Sequence, residues 1–355
     1  MEIHQLLPGY QYGDAISNHA AALRGLLRTW GYQSEIFSQH VGPTVSHDCF
    51  HFRDFRGRDD GITIYHHSIG AAEMTDLFLT VPGKRLLVYH NITPHQYFAG
   101  YDSYELAKTR EGRDALVELR DAADMVLGDS QFNCEELEAI GFHNPRVVPI
   151  LVDFGKFESE LPCPSTLDWL EDDWTHFLFV GRLAPNKRQE DVIRVFAHYN
   201  RFIDRRSRLF LVGSDAKETY VAQLRRLVRD LRLEDYIEFP GHVHLSELIA
   251  YYQRANVFIC MSDHEGFCVP FLEAFYHDVP VMAYKAAAVA DTLGNAGVLV
   301  ETRDFSTIAE LAHLLVTDLD FRDKIILGQN RRLSRFEPRL VASQFRTYLD
   351  ELIAA

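Results

Sequence analysis

Short apolar runs rich in β-branched residues alternate with longer stretches of helical spacing along the whole chain. In the first half the pattern predicts strands at Ile3–Leu7, Gln33–Phe37, Ile62–Tyr65, Arg85–Tyr89, Met125–Leu127 and Arg146–Leu151. The clearest helix is Ala15–Trp30, where Ile16, Ala20, Leu23, Leu27 and Trp30 recur at helical spacing behind Asp14, a predicted N-cap. Strict alternation of strand and helix argues for a parallel sheet covered by helices on both faces.

The pattern breaks between Asp153 and Asp173, a stretch rich in Asp, Glu, Pro and Ser that reads as a linker. A second series follows, with strands near Phe177–Val180, Leu209–Val212, Tyr236–Phe239, Val257–Met261, Val279–Ala283 and Gly297–Val300. The expected organisation is α/β: a doubly wound, Rossmann-like domain over residues 1–152, a linker over 153–173, and a second such domain over 174–338. A last helix, about 339–352, is expected to return to the first domain. The unusual polar residues fall just after strands: Gly13-Asp14, His66-His67-Ser68, His90-Asn91 and Asp129-Ser130, then Gly181-Arg182, Gly213-Ser214, Gly241-His242 and Asp263-His264-Glu265-Gly266. Ligands bind outside the carboxyl ends of such strands, so two sheets facing one cleft would gather both sets.

Composition narrows the partners. With 36 basic and 51 acidic residues the formal charge is −15, which argues against a nucleic-acid partner. The five cysteines form no CxxC pair, which predicts reduced thiols and a cytoplasmic protein. No signal-peptide pattern opens the sequence, and no apolar run approaches the roughly 20 residues that span a bilayer. Peripheral contact with the inner face of a membrane is left open.

Two segments carry the chemistry. In Phe179-Val180-Gly181-Arg182-Leu183-Ala184-Pro185-Asn186-Lys187 a strand ends in Gly-Arg, and Lys187 follows. Arg182 and Lys187 together could neutralise a diphosphate, the first as a fork and the second as a point charge. In His264-Glu265-Gly266-Phe267-Cys268-Val269-Pro270-Phe271-Leu272-Glu273-Ala274 two glutamates bracket a turn that leads into a helix. Backbone N–H groups at such a point hold anions, and the carboxylates accept hydrogen bonds from sugar hydroxyls.

These segments resemble the retaining, nucleotide-sugar-dependent glycosyltransferases of family 4, which have the GT-B fold. The likeness covers about Phe177 to Val300 well and the first half more thinly. It implies that Arg182 and Lys187 bind the donor diphosphate, helped by Gly13 and by the turn Gly266, Phe267 and Cys268. Glu273 would hold the ribose. His90 and Glu265 would lie at the transferred sugar as the catalytic pair, orienting the reaction rather than acting as nucleophile. Tyr10, Tyr12 and Asp14 are candidates for the acceptor side. Donor and acceptor would be a nucleoside-diphosphate hexose, mannose slightly favoured over glucose, and a saccharide or lipid-linked glycan. No cofactor and no metal is expected; His66, His67 and His95 show no ligand spacing. Three departures bear on acceptor and sugar choice. Tyr12-Gly13 stands where the family has paired glycines, no basic residue lies at 133–135, and Ala286–Asp291 replaces a Gly-Gly…Pro-Glu loop. The alternatives are an epimerase of the same fold and a non-catalytic sugar-nucleotide-binding subunit.

Overall fold

The computed structural model describes residues 1–214 and 218–355. The chain forms two compact units: residues 1–99, 103–153 and 336–355, and residues 100–102 with 154–335.

The first unit is built on a seven-stranded parallel sheet in the order β3-β2-β1-β4-β5-β6-β7. Its strands are β1 (Ile3–Tyr10), β2 (Ile36–Val41), β3 (Phe50–His51), β4 (Ile62–His67), β5 (Lys84–Tyr89), β6 (Met125–Gly128) and β7 (Arg146–Val147). β4 is buried along its whole length, as a strand covered on both faces must be. The sequence missed β3, which is two residues long and too short to show a period. It overran β7: Val148 N still donates to Gly128 O of β6 (2.9 Å), but Ile150 and Leu151 are buried beyond the strand's end. β1 runs three residues further than expected, through Pro8-Gly9. There it pairs with β2 alone, since its register with β4 ends at Leu6↔Tyr65, so the missing N–H of Pro8 breaks no bond on the β4 side.

The helix Ala15–Thr29 is capped by Asp14, whose carboxylate accepts from Ser17 N (2.9 Å). The final helix, Pro338–Ala354, belongs to the first unit. It buries Val341, Phe345, Leu349 and Leu352 in one cluster with Ile3, Leu23, Leu27 and Ile62.

The second unit has a six-stranded parallel sheet, β10-β9-β8-β11-β12-β13. Its strands are β8 (Thr175–Val180), β9 (Ser207–Val212), β10 (Ile237–Gly241), β11 (Val257–Cys260), β12 (Val281–Tyr284) and β13 (Val298–Val300). The expected linker at 153–173 is corrected. It holds the helices Gly155–Ser159 and Pro164–Trp169, and all but Asp153 belongs to the second unit. Polar composition hid this, but its aromatics pack: Phe154 stacks on Tyr276 (ring centroids 5.5 Å), and Cys163 N donates to Ser246 O (2.8 Å).

The loops leaving β8 and β9 run against each other. A Cβ on Gly213 would overlap the Gly181 carbonyl oxygen, and Gly213 itself sits at φ 149°. Gly213→Ala is therefore expected to cost about 2 kcal/mol or more, read as a lower urea midpoint at unchanged m-value. A midpoint equal to the parent's would contradict this packing.

Candidate donor site at the sheet reversal of the second unit

In the second sheet the order reverses between β8 and β11: β9 and β10 lie on one side, β12 and β13 on the other. Loops at such a reversal diverge and leave a crevice at the carboxyl ends of the strands. The loop after β8 carries Arg182 and Lys187, and the loop after β11 carries Glu265 and leads to Glu273. Both predicted donor segments thus flank the same reversal.

The two loops are tied together. Asp263 N donates to Asn186 O (2.9 Å), and Asn186 Nδ2 donates to His264 O (3.1 Å). The Lys187 ammonium is ion-paired with Glu265, whose other oxygen accepts from Ser262 Oγ (2.7 Å). Burial, the largest single influence, would lower the Lys187 pKa, but the charge and hydrogen bond of Glu265, together with Cys268 and Cys260, outweigh it and hold the ammonium above its usual range. Arg303 bridges Asp191, buried at the start of helix Gln189–Phe202, and Asp263. Arg194 (2.7 Å) and Arg188 (3.2 Å) complete the shell of Asp191.

Beyond Glu265 the chain turns through Gly266 and Phe267 to Cys268, which caps the helix Val269–Tyr276 in a left-handed conformation, φ 74°. Arg182 is exposed and Lys187 partly so. Glu273 lies on the first turns of that helix with both oxygens engaged, one by Lys156 Nζ (3.0 Å) and the other by Tyr252 OH (3.1 Å). Each oxygen keeps a second lone pair for a diol. Burial and then the Glu273 charge push the Tyr252 phenol well up, so it stays a donor. Lys156, Tyr252, Ser262 and Arg303 were missed from sequence, because no local pattern marks them.

In the first unit the order reverses between β1 and β4. Gly13, at φ 77°, and Asp14 follow β1, and Tyr12 is exposed. Tyr10 is corrected: it ends β1 as a core ring, and its OH donates to Asp48 (2.5 Å), which Arg24 also holds. Asp14 spends one carboxylate oxygen on capping.

His90 is corrected as well. Its side chain has no exposed surface, and both ring nitrogens are used inside the unit. The network fixes its protons. Gln5 Nε2 donates to Ala20 O (3.0 Å), so Gln5 Oε1 can only accept from His66 Nε2 (2.8 Å). Burial, and then His90, hold His66 well below its usual pKa, so it is neutral and offers Nδ1 as acceptor. His90 Nε2, 2.8 Å away, must then donate. The contact between His90 Nδ1 and Asp129 Oδ2 (2.9 Å) therefore needs one further proton. Burial raises the Asp129 pKa, and its Oδ1 is buried without a hydrogen-bond partner, so the carboxylic acid fits that proton best. Gln5, a polar residue inside an apolar strand, was the available sequence signal for this network.

Comparison with known proteins agrees with this geometry. Anabaena HepE, solved with UDP-glucose, superposes with a TM-score of 0.77 at 16% identity, over 99% of this chain and 100% of that one. A sucrose-phosphate synthase from Thermosynechococcus elongatus gives 0.77 at 18% over 100% of both chains. The fold is that of the GT-B glycosyltransferases. Residues 170–331 match the family described as glycosyl transferases group 1. O-antigen chain mannosyltransferase B of Escherichia coli is 26% identical over 65% of this chain and 60% of its own length. The capsular polysaccharide biosynthesis glycosyltransferase CapM of Staphylococcus aureus is 32% identical over 49% of this chain and 46% of its own length. The chain thus spans about half the length of these curated relatives. Among the described residues no helix is long and apolar enough to cross a membrane.

Asp129 gives a pH test. A folded pKa raised above the unfolded 3.8 contributes stability that is present below 3.8 and is lost as pH rises through the folded value. His90 and Cys134 lie near this carboxyl, and His66 and His19 lie against His90; all four are common to protein and variant. The stability of the protein minus that of Asp129→Asn, from urea unfolding, should therefore fall as pH rises above about 4. A difference that stays flat with pH would contradict a protonated Asp129. Asp129→Ala, which leaves His90 Nδ1 without a partner, should cost about 1–3 kcal/mol.

Proposed function

We propose that the protein is a retaining glycosyltransferase of family 4 that moves a hexose from a nucleoside-diphosphate sugar to a hydroxyl of a saccharide or lipid-linked glycan. The observation that carries this is the pairing of Lys187 with Glu265 across the β8/β11 reversal, with Arg182 on the same loop as Lys187. The leaving group is a diphosphate, so the main catalytic task is to stabilise growing negative charge. Arg182, Lys187 and the amides of the Gly266–Cys268 turn suit that task.

Retention has its support in the state of Glu265. Its carboxylate is pinned by Lys187 and Ser262, which favours an orienting role over nucleophilic attack. A front-face reaction, in which a donor phosphate oxygen takes the acceptor proton, needs no nucleophile. Glu273 is the ribose anchor in this reading, with Tyr252 and Lys156 holding it aligned. His90 positions the end of β5 rather than touching sugar, and Tyr12 is the acceptor-side aromatic that remains available. The mannosyltransferase and UDP-glucose relatives support a hexose donor, with mannose slightly favoured. No metal is needed for the transfer, and the reaction is placed in the cytoplasm, at or near the inner membrane face.

Arg182→Ala and Lys187→Ala should each lower acceptor-dependent nucleotide release by about 100-fold, the scale of one lost charge-stabilising donor. Near-parental rates in both variants would sink the assignment. Release of an isomerised nucleotide sugar without acceptor would favour an epimerase instead.

A further inference from the structure

We propose that Cys260, Glu265 and Cys268 form a site for a thiophilic divalent cation, with Zn2+ the fitting ion. Cys260 ends β11, Glu265 lies in the loop that follows, and Cys268 caps the next helix. One ligand atom from each lies within 4.8 Å of the other two. Tetrahedral zinc, with Zn–S near 2.3 Å and Zn–O near 2.1 Å, holds such atoms roughly 3.5–3.8 Å apart. Small rotations of the two thiols therefore reach binding geometry.

Three observations make this cluster more than a chance meeting. Ser262 Oγ donates to Glu265 Oε1 (2.7 Å) and lies 3.1 Å from Cys260 Sγ, so one hydroxyl fixes two of the three ligands. Cys260 and Glu265 are buried, while Cys268 is partly exposed. Charge also balances. Before binding, two neutral thiols sit beside the Lys187–Glu265 ion pair, and the site is neutral. On binding, both thiols release their protons to solvent as two Zn–S bonds form. Two thiolates, one carboxylate, one ammonium and a divalent ion again sum to zero. No redox step is involved, and a water completes the tetrahedron.

The other close-set group among the described residues, His19, His66 and His90, lacks this capacity. His66 and His90 have all four ring nitrogens in buried hydrogen bonds, and His19 Nδ1 accepts from Leu151 N (2.9 Å). An ion at the cysteine site would compete with Lys187 for Glu265 and stiffen the turn Glu265–Cys268. Its occupancy would thus set how that loop meets an anion, which makes it a restraint on the donor loop rather than a part of the transfer chemistry.

The test uses untagged, full-length protein kept reduced by a phosphine, with Co2+ as the optical probe. One equivalent should give tetrahedral d–d bands and thiolate-to-cobalt charge transfer, both bleached by Zn2+. Cys268→Ser and, independently, Cys260→Ser should lose the charge-transfer band while keeping the parent circular dichroism. Cys163→Ser should keep the band. Absence of the band from the parent protein, or its survival in both site variants, would overturn the proposal. None of these readouts depends on glycosyl transfer.

Discussion

Much of the second unit's design turns on one constraint: two oppositely charged side chains, Lys187 and Glu265, held together where the order of the sheet reverses. Glu265 is buried and Lys187 only partly exposed, so neither charge could stand there alone without a heavy desolvation cost. Each is therefore supported. Ser262 holds the far oxygen of Glu265, and the Asn186 bonds fix the spacing of the two loops. Arg303 carries the same tie outward to Asp191 and Asp263. A buried pair of this kind adds little net stability, because attraction mostly offsets desolvation. Its use is geometric: it sets a cation, a carboxylate and a helix-opening turn in fixed register at one crevice.

The second glutamate follows the same logic. Glu273 is 6% exposed, and its oxygens are engaged by an ammonium and a phenol. A ligand diol can add to these contacts through the unused lone pairs, so the site is set before a ligand arrives. The first unit solves a different problem by different means. Its strand ends carry buried imidazoles, and their proton count keeps Gln5, His66, His90 and Asp129 neutral as a group. Neutrality is the cheaper arrangement where no counter-charge lies nearby.

How much of this could be read from the sequence depended on distance along the chain. The donor loops were legible because their signals are local: Gly181-Arg182 and Lys187 share one loop, and Glu265 and Glu273 bracket one turn. The doubly wound units were legible because buried parallel strands leave continuous apolar runs. The partners that hold the site were not, because they lie far off: Lys156 is 117 residues from Glu273, and Arg303 is 112 from Asp191. Tyr10 was read as a loop residue because the expected strand stopped at Leu7, whereas β1 continues through Pro8-Gly9 to Tyr10, paired on one side only. His90 was assigned to the sugar through the family resemblance, and nothing local contradicted it, because its partners His66 and Asp129 are 24 and 39 residues away. Pairing of that kind leaves no periodic trace.

The central claim is that the β8/β11 reversal is an anion site built for a diphosphate. Isothermal titration calorimetry with UDP, GDP and the matching nucleosides tests it most directly. At least one diphosphate should bind once per chain, its nucleoside should bind far more weakly, and Lys187→Met should abolish the difference. Equal binding of nucleoside and diphosphate, or diphosphate binding unchanged in Lys187→Met, would contradict it.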